Sequence, residues 1–272
     1  MLLGLTISSI AAHARFCNLN LNDSLKIGLV SGLMANATFI ISSYYILNNK
    51  LLTEFTSLIA LSLTGTALVL WRFFRDPERV YDGSNLDVIS PADGKIIYIR
   101  EINKGTIPCS IKGKKNIKIT EILKTDLLEK SDGFIIGINM SLLDVHVNRA
   151  PISGKALLVK HTPGNLISLK QGSSEIENVR NTIIIKNGKC SIGIIQIGSK
   201  LVSKIICYLK QNEHIERGGR IGKITFGSQV DVIFRKEDVE VLLVTEGTLV
   251  YAGLTPIARL KANQVDKESD LT

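Results

Sequence analysis

The sequence has few cysteines and few aromatic residues, and both scarcities narrow its functional class. The four cysteines, Cys17, Cys109, Cys190 and Cys207, show no CxxC spacing and no histidine at ligand distance in sequence. We therefore expect neither a zinc site nor a disulfide framework, and no other metal. Aromatic residues make up 6% of the 272 residues, and the lysines and arginines behind the net charge of +8 are spread along the chain. This pattern does not indicate a nucleic-acid-binding surface, whereas it suits contact with an anionic membrane.

Charged residues are also missing from two long stretches near the N-terminus, Ile27–Asn49 and Phe55–Trp71, with Lys50 and Glu54 between them. A helix needs roughly 17–25 apolar residues to cross the hydrocarbon core of a bilayer. We therefore predict a membrane-anchoring helical hairpin within residues 1–76. The high content of Ser, Thr and Asn keeps open the alternative of a buried helical pair in a soluble protein.

The basic residues around these stretches predict an orientation. They are Arg15 and Lys26 before the pair, Lys50 in the turn, and Arg72, Arg75 and Arg79 after it. Because basic residues flank the cytoplasmic ends of membrane helices, both ends of the hairpin should face the cytoplasm. The first residues lack a basic region, which disfavours a cleaved signal peptide. We expect a protein of the cell membrane with residues 77–272 on the cytoplasmic side.

Residues 77–272 differ from the N-terminal part in their sequence pattern, because they contain short β-rich runs bounded by Gly, Pro, Asn and Asp. The runs are FIIGINM, ALLVKHT, NTIIIKN, CSIGIIQIG, LVSKIICYL, VEVLLV and TLVYAG. They predict a mainly β domain, sandwich-like or barrel-like, with few helices. One segment, Ile119–Lys130, has apolar spacing that favours a helix.

The stretch RIGKITFGSQVDVIF, Arg220–Phe234, alternates apolar and polar residues in the way of a strand with one buried face. Ser228 falls in the buried phase, next to Gly227, where a valine or isoleucine would pack better. A β-bulge is the local structural explanation for such a Gly-Ser pair.

Three short segments concentrate reactive or conformationally special residues: SPADGKI (Ser90–Ile96), MSLLDVHVNRAPISG (Met140–Gly154) and FGSQVDV (Phe226–Val232). Taken singly, each has an ordinary explanation, since Asp93-Gly94 is a turn signature and His146 fits a structural histidine. Taken together and in this order, they resemble the phosphatidylserine decarboxylase family, in its shorter, bacterial and archaeal-type branch. The resemblance runs from about Arg72 to Leu254. LDVHVNRAP and GRIGKITFGS are its most specific pieces, and HTPGNL and IIQIGS are also similar.

The resemblance implies a function for the Gly-Ser pair. Members of the family are proenzymes that cut themselves at a Gly-Ser bond, and the serine becomes a covalent pyruvoyl cofactor. Here the cut would fall between Gly227 and Ser228, giving an associated β chain of residues 1–227 and α chain of residues 228–272. The amine of phosphatidylserine in the membrane would form a Schiff base with the pyruvoyl ketone, and phosphatidylethanolamine would be the product after loss of carbon dioxide.

The resemblance also implies catalytic residues. Asp93 matches the family's catalytic aspartate, and His146 matches the first histidine of its D-x-H segment. Members of the long branch carry a second histidine where this chain has Arg149, so either His146 serves both processing and decarboxylation, or His161 or His214 replaces the missing base. The chain also has Val179 where a glutamate is expected.

Charge alone suggests Arg149 and Lys155 as ligands of the substrate phosphodiester. Two alternatives remain at this point. An archaetidylserine decarboxylase would use the same chemistry on ether-linked lipids, whereas a non-catalytic, membrane-tethered, lipoyl-like adaptor module would need no scission. The sequence does not define the oligomeric state, and a homo-oligomer is one option.

Overall fold

The computed structural model describes residues 21–45, 50–107, 117–118, 131–165, 168, 177–199, 204–225 and 228–263. Two long α-helices precede a part of the chain that consists mostly of β-strands. This arrangement confirms the predicted mainly β fold with an N-terminal hydrophobic helical pair. The helix predicted for Ile119–Lys130 lies outside the described residues.

The helices are α1 (Leu21–Tyr45) and α2 (Lys50–Phe74), which pack against each other. Leu51–Phe74 is long and apolar enough to cross a membrane, whereas the apolar part of α1, Gly28–Ser42, is shorter. Hydroxyl groups in both helices donate to carbonyls one turn earlier: Thr38 Oγ1 to Met34 O at 2.9 Å and Ser57 Oγ to Thr53 O at 2.8 Å. Such bonds satisfy the hydroxyls internally, so the polar residues are compatible with lipid surroundings.

Contacts divide the chain into two units. The first is Met1–Arg75 with Ser141–Asp144, and the second is Asp76–Met140 with Val145–Thr272. Within the first unit, Arg75 Nη1 donates to Leu143 O at 2.7 Å, and Leu143 packs against Val69 of α2. The predicted domain boundary after residue 76 stays a prediction.

Sixteen named strands and one 3-10 helix form the described part of the second unit. In chain order they are β1 (Asp87–Ile89), β2 (Gly94–Ile102), β3 (Thr106–Ile107), β4 (Ile117–Lys118), β5 (Gly133–Met140), β6 (Val147–Arg149), β7 (Gly154–Thr162), β8 (Arg180–Asn187), β9 (Cys190–Gly198), β10 (Ile205–Cys207), β11 (His214–Ile215), β12 (Arg220–Ile224), β13 (Ser228–Arg235), the 3-10 helix Lys236–Asp238, β14 (Val239–Leu242), β15 (Leu249–Val250) and β16 (Pro256–Leu260).

The strands form one large antiparallel sheet and three small ones. The eight-stranded sheet has the order β11-β7-β8-β9-β13-β5-β2-β15, and the small sheets are β10-β12-β6, β1-β16-β14 and β3-β4. An apolar core joins the large sheet to the sheets β10-β12-β6 and β1-β16-β14, with isoleucines and valines from β5, β8, β9 and β13 fully buried. Each β-rich run of the sequence contributes to a strand, as predicted.

The stretch Arg220–Phe234 differs from its prediction as one strand with one buried face. It forms two strands in two sheets, β12 in a small sheet and β13 at the centre of the large one. Val230, Val232 and Phe234 are fully buried as expected, but Asp231 on the opposite face is fully buried as well. A central strand covered on both sides loses the contrast between its faces, which is why alternation alone was misleading.

Polar side chains on that second face are held by hydrogen bonds. Tyr98 Oη donates to Asp231 Oδ2 at 2.8 Å, and Gln229 Nε2 donates to Tyr98 Oη and to Asp231 Oδ1, each at 2.8 Å. Buried polar groups are tolerated when they are paired in this way. The residue after Ser228 is therefore fixed in place by its side chain.

A buried carboxylate, Asp87, joins β1 to the last strand. Its Oδ1 accepts from Arg259 Nε at 2.8 Å and its Oδ2 from Tyr81 Oη at 2.7 Å. Burial would raise the pKa of Asp87, but the hydrogen bonds from Arg259 and Tyr81 outweigh it and hold the pKa below its ordinary value. Burial, together with the bond to Asp87, raises the pKa of Tyr81 to about 12.

We predict that Asp87→Asn lowers the free energy of unfolding by about 2 kcal/mol at neutral pH, the scale of hydrogen bonds to a charged group. Because the folded pKa of Asp87 is depressed, its contribution is complete above the ordinary carboxyl pKa and is lost as the pH falls through the folded value. Denaturant unfolding followed by circular dichroism should show the variant approaching the parent protein below about pH 4. A difference that stays constant with pH would contradict this assignment.

Candidate active site

The short strands β6 and β12 bring the His146 segment beside the chain that leads to residue 228. Val147 pairs with Lys223, and the backbone N–H of Ile224 donates to His146 O at 3.2 Å. His146 is 3% exposed. The pairing therefore holds His146 beside Ile224, which is four positions before Ser228. His146 is the only buried histidine among the described residues.

Ser228 is the first residue of β13 and is paired on both sides. Its ladder partners are Met140, the last residue of β5, and Gly198, the last residue of β9. Gly227 lies outside the described residues. Position 228 is thus held at one end of the three central strands of the large sheet.

Asp93 lies in the turn that precedes β2, and its carboxylate accepts four hydrogen bonds. Arg79 donates from Nη1 to Oδ1 at 2.5 Å and from Nη2 to Oδ2 at 3.0 Å. The backbone N–H groups of Val145 and Ala252 donate at 3.3 and 2.8 Å. The N–H of Val145, the residue before His146, links this carboxylate to the histidine segment.

A chain of buried amides connects β6 to the large sheet near the same point. Asn181 Nδ2 donates to Gln196 Oε1 at 2.9 Å, and Gln196 Nε2 donates to Asn148 Oδ1 at 2.7 Å. Asn148 Nδ2 in turn contacts Met140 Sδ at 3.8 Å. Because Met140 is the ladder partner of Ser228, this chain supports the segment after His146 against the strands that hold residue 228.

Arg149 is buried, and its guanidinium is already bound. Nη1 donates to Gly218 O at 2.9 Å, and Nη2 donates to Asp76 Oδ1 at 3.1 Å and to Pro77 O at 2.9 Å. Burial lowers the pKa of Arg149, an effect that Asp76 partly offsets. These contacts belong to the protein itself, and binding of a phosphodiester by Arg149 stays a prediction.

Lys155, His161 and His214 lie on β7 and β11, at the far end of the large sheet. All three are exposed, and Lys155 is the ladder partner of His214. Three strand spacings separate β7 from β13, which corresponds to about 14 Å along the sheet. The fold therefore brings Asp93, His146 and Ser228 into one region and leaves these three residues outside it.

Two features of this region were missed from the sequence. Arg79 was interpreted as a basic flank of the helices, yet its side chain is 9% exposed and bound to Asp93. The second feature is the chain of buried amides. Gln196 could have indicated it, because it is the one amide side chain in the apolar run CSIGIIQIG. Among the described residues, no group of three or more His, Cys, Asp or Glu side chains is arranged to hold a metal ion.

Comparison with known proteins identifies the family. The family described as phosphatidylserine decarboxylase matches residues 67–258. The chain belongs to the phosphatidylserine decarboxylase family. This membership confirms the resemblance carried by the motifs and makes the chain an enzyme of the decarboxylase class, so the non-catalytic adaptor is set aside.

Similar proteins in this family carry two kinds of name. The chain is 36% identical over 190 residues to the putative archaetidylserine decarboxylase proenzyme of Methanothermobacter thermautotrophicus, which covers 70% of this chain and 80% of that one. It is 34% identical over 205 residues to the protein of the same name from Methanocaldococcus jannaschii, covering 75% and 96%. It is 32% identical over 196 residues to the phosphatidylserine decarboxylase proenzyme of Magnetococcus marinus, covering 72% and 79%.

Proposed function

We propose that this chain is a proenzyme that cuts itself between Gly227 and Ser228 and then decarboxylates phosphatidylserine to phosphatidylethanolamine. The observation that carries the proposal is the backbone pairing of His146 with Ile224, next to the Asp93 turn, in a member of this family. The named relatives favour a second candidate substrate, archaetidylserine, which shares the serine headgroup. The reacting atoms are the same in both lipids.

The cut needs a nucleophile and a base. Oγ of Ser228 attacks the carbonyl carbon of Gly227, the Gly227–Ser228 amide bond breaks, and an ester forms with a free amine on residue 228. Loss of the Cα proton expels the Gly227 carboxylate and leaves dehydroalanine, whose imine tautomer is hydrolysed to a pyruvoyl group and ammonia. A base must take the hydroxyl proton, as in other activated serines.

His146 is our candidate for that base and for the later proton donor. It is buried, and its carbonyl is bonded to the strand that leads to the cut. Asp93 holds the preceding residue through the N–H of Val145, so its carboxylate would orient the histidine segment. Water is largely excluded from both residues, which strengthens their electrostatic effect on the reaction.

The fold supports retention of the α chain after the cut. Strand β13 would belong to the α chain, and it pairs with β5 and β9, which would belong to the β chain. The N–H of Ala252 and the side chain of Arg259 add bonds from the α chain to Asp93 and Asp87. The two chains would therefore stay together without a peptide bond.

The described residues fit a pyruvoyl group at position 228. The residue there is a serine, its ladder partner Gly198 has no side chain, and the following Gln229 is fixed by Tyr98 and Asp231. Such a group acts as an electron sink for decarboxylation of an amine-linked substrate. The protein would contribute the rigid strand, the buried histidine and the exclusion of water.

The apolar helix α2 supports action at a membrane. A lipid substrate would be met at the bilayer surface, and the surplus of basic residues would favour anionic lipid. We propose that both helices anchor the protein in the cell membrane with the catalytic unit in the cytoplasm. A homo-oligomer would be compatible with this arrangement.

We predict that Ser228→Ala gives one uncut chain without decarboxylase activity, because the hydroxyl starts the only route to the pyruvoyl group. Intact mass and a denaturing gel report the cut, and product assays with ester-linked and ether-linked serine lipids report activity and substrate class. Ser228→Cys should retain slow cutting, since a thiol can make the same acyl shift. Normal activity of the alanine variant would refute the proposed function.

For His146→Ala we expect slow self-cleavage and, in any cleaved fraction, poor turnover per pyruvoyl group. General acid–base help is worth about 10²- to 10⁴-fold in rate, which sets the size of both losses. Gel densitometry and product formation measure the two steps separately. His161→Ala serves as the control, because His161 is exposed on β7. Parent-like values for His146→Ala in both steps would return His146 to a structural role.

We expect alkaline carbonate washing to leave the full chain in the membrane pellet. A C-terminal epitope on the α chain should be digested in inverted vesicles and protected in sealed spheroplasts, because the basic flanks predict a cytoplasmic catalytic unit. Release by carbonate would show that the helices do not anchor the chain. Digestion in intact spheroplasts would reverse the orientation.

A further inference from the structure

The segment Asp76–Arg79, here called the strap, directly follows the helical unit and contacts three parts of the candidate site. Asp76 and Pro77 bind Arg149, Asp76 and Glu78 bind Arg220, and Arg79 binds Asp93. Its residues lie outside the segments that contain the candidate catalytic residues. A flexible tether would not require three sets of charged contacts.

Asp76 reduces the electrostatic repulsion between two arginine side chains. Arg149 of β6 and Arg220 of β12 are directly opposite each other in the ladder. Like charges at opposed positions of a strand pair are destabilising. The Asp76 carboxylate lies between them, with Oδ1 3.1 Å from Arg149 Nη2 and Oδ2 2.5 Å from Arg220 Nε. It therefore stabilises the register that pairs the His146 segment with β12.

Arg79 acts on the aspartate that holds the residue before His146. Its guanidinium binds both oxygens of Asp93, and Nη1 also donates to Ala252 O at 2.7 Å. A paired guanidinium fixes the plane of a carboxylate, which a single point charge does not. The Asp93 oxygens are thereby aimed at the N–H groups of Val145 and Ala252.

We propose that the strap is a positioning element for self-cleavage, in which Asp76 fixes the β6–β12 register and Arg79 fixes Asp93. This inference rests on the proposed function and adds to it the residues that place the base and the strand β12, which leads to the cut. Neither Asp76 nor Arg79 reacts with substrate. Their effect passes through His146 and Asp93.

The small size of β6 explains why such support is needed. The strand has three residues, and its pairing with β12 has an irregular register between Arg220 and Gly222. A short, irregular ladder resists slippage weakly. Misplacement of a catalytic group by about 1 Å can cost on the order of 100-fold in rate.

The test uses the full-length chain with Asp76→Asn and Arg79→Gln as separate variants. Each variant should cleave itself at least tenfold more slowly than the parent protein. It should keep a cooperative thermal unfolding transition and the circular dichroism spectrum of the parent. In the fraction that is cleaved, kcat per pyruvoyl group should fall while KM stays near the parent value. Glu101→Gln is the matched control, because Glu101 forms an exposed ion pair with Lys236 on another part of the unit.

Rescue separates positioning from general structural support. Adding Arg220→Gln to Asp76→Asn removes one of the two opposed charges, so the double variant should cleave faster than Asp76→Asn alone. Arg79→Lys keeps the charge without the paired geometry and should recover only part of the loss caused by Arg79→Gln. A structural role alone predicts additive losses of thermal stability instead of recovered cleavage.

The outcomes also separate this inference from the proposed function. Cleavage of the parent chain tests the function, and the ratio of variant to parent cleavage rates tests the strap. Parent-like cleavage in both Asp76→Asn and Arg79→Gln would overturn the proposed role of the strap and leave the proposed function intact. Loss of cleavage together with loss of the thermal transition would also overturn it, because a folding defect would then explain the result.

Discussion

The site depends on one constraint, the pairing of β13 with a strand on each side. Ser228 begins this strand between Met140 and Gly198, and the ladder continues through Arg235 on the β5 side. A residue bonded from both sides would have little freedom to move if the chain before it were cut. In the proposed function, the same pairing would hold the new terminus of the α chain after the cut.

Buried polar groups provide the second level of order. Asp93, Arg149 and Asp231 are nearly or fully inaccessible, and each is bound by several partners. Leaving such a group unpaired costs about 1–3 kcal/mol or more, so each network has one favoured arrangement. This argues for rigidity around position 228, which suits a reaction that must bring a hydroxyl to the preceding carbonyl in a strained backbone geometry.

Local patterns predicted the strands of the β-rich runs and the apolar helices, because such runs and uncharged stretches reflect burial directly, but they did not reveal the division of Arg220–Phe234 into two strands. Motif order predicted Asp93, His146 and Ser228 as site residues, and the fold brings their segments together. The sequence did not reveal that Arg79 turns inward or that Asp231 is buried. Both depend on partners distant in sequence, Asp93 and Ala252 for the first and Tyr98 for the second. An arginine near a membrane helix has the same local pattern whether it faces lipid headgroups or a buried carboxylate.

The topology is compatible with the proposed cut at the Gly-Ser pair. Strand β12 ends at Ile224 in one sheet and β13 begins at Ser228 in another, so the chain changes ladders between them. A cut in the middle of a central strand would separate two segments that are both bonded to their neighbours, and the reacting atoms would be fixed in extended geometry. At a change of ladder, the downstream strand keeps its register whether or not the bond is intact. In the proposed self-cleavage, a glycine before the serine would offer the least hindered carbonyl for the hydroxyl to attack.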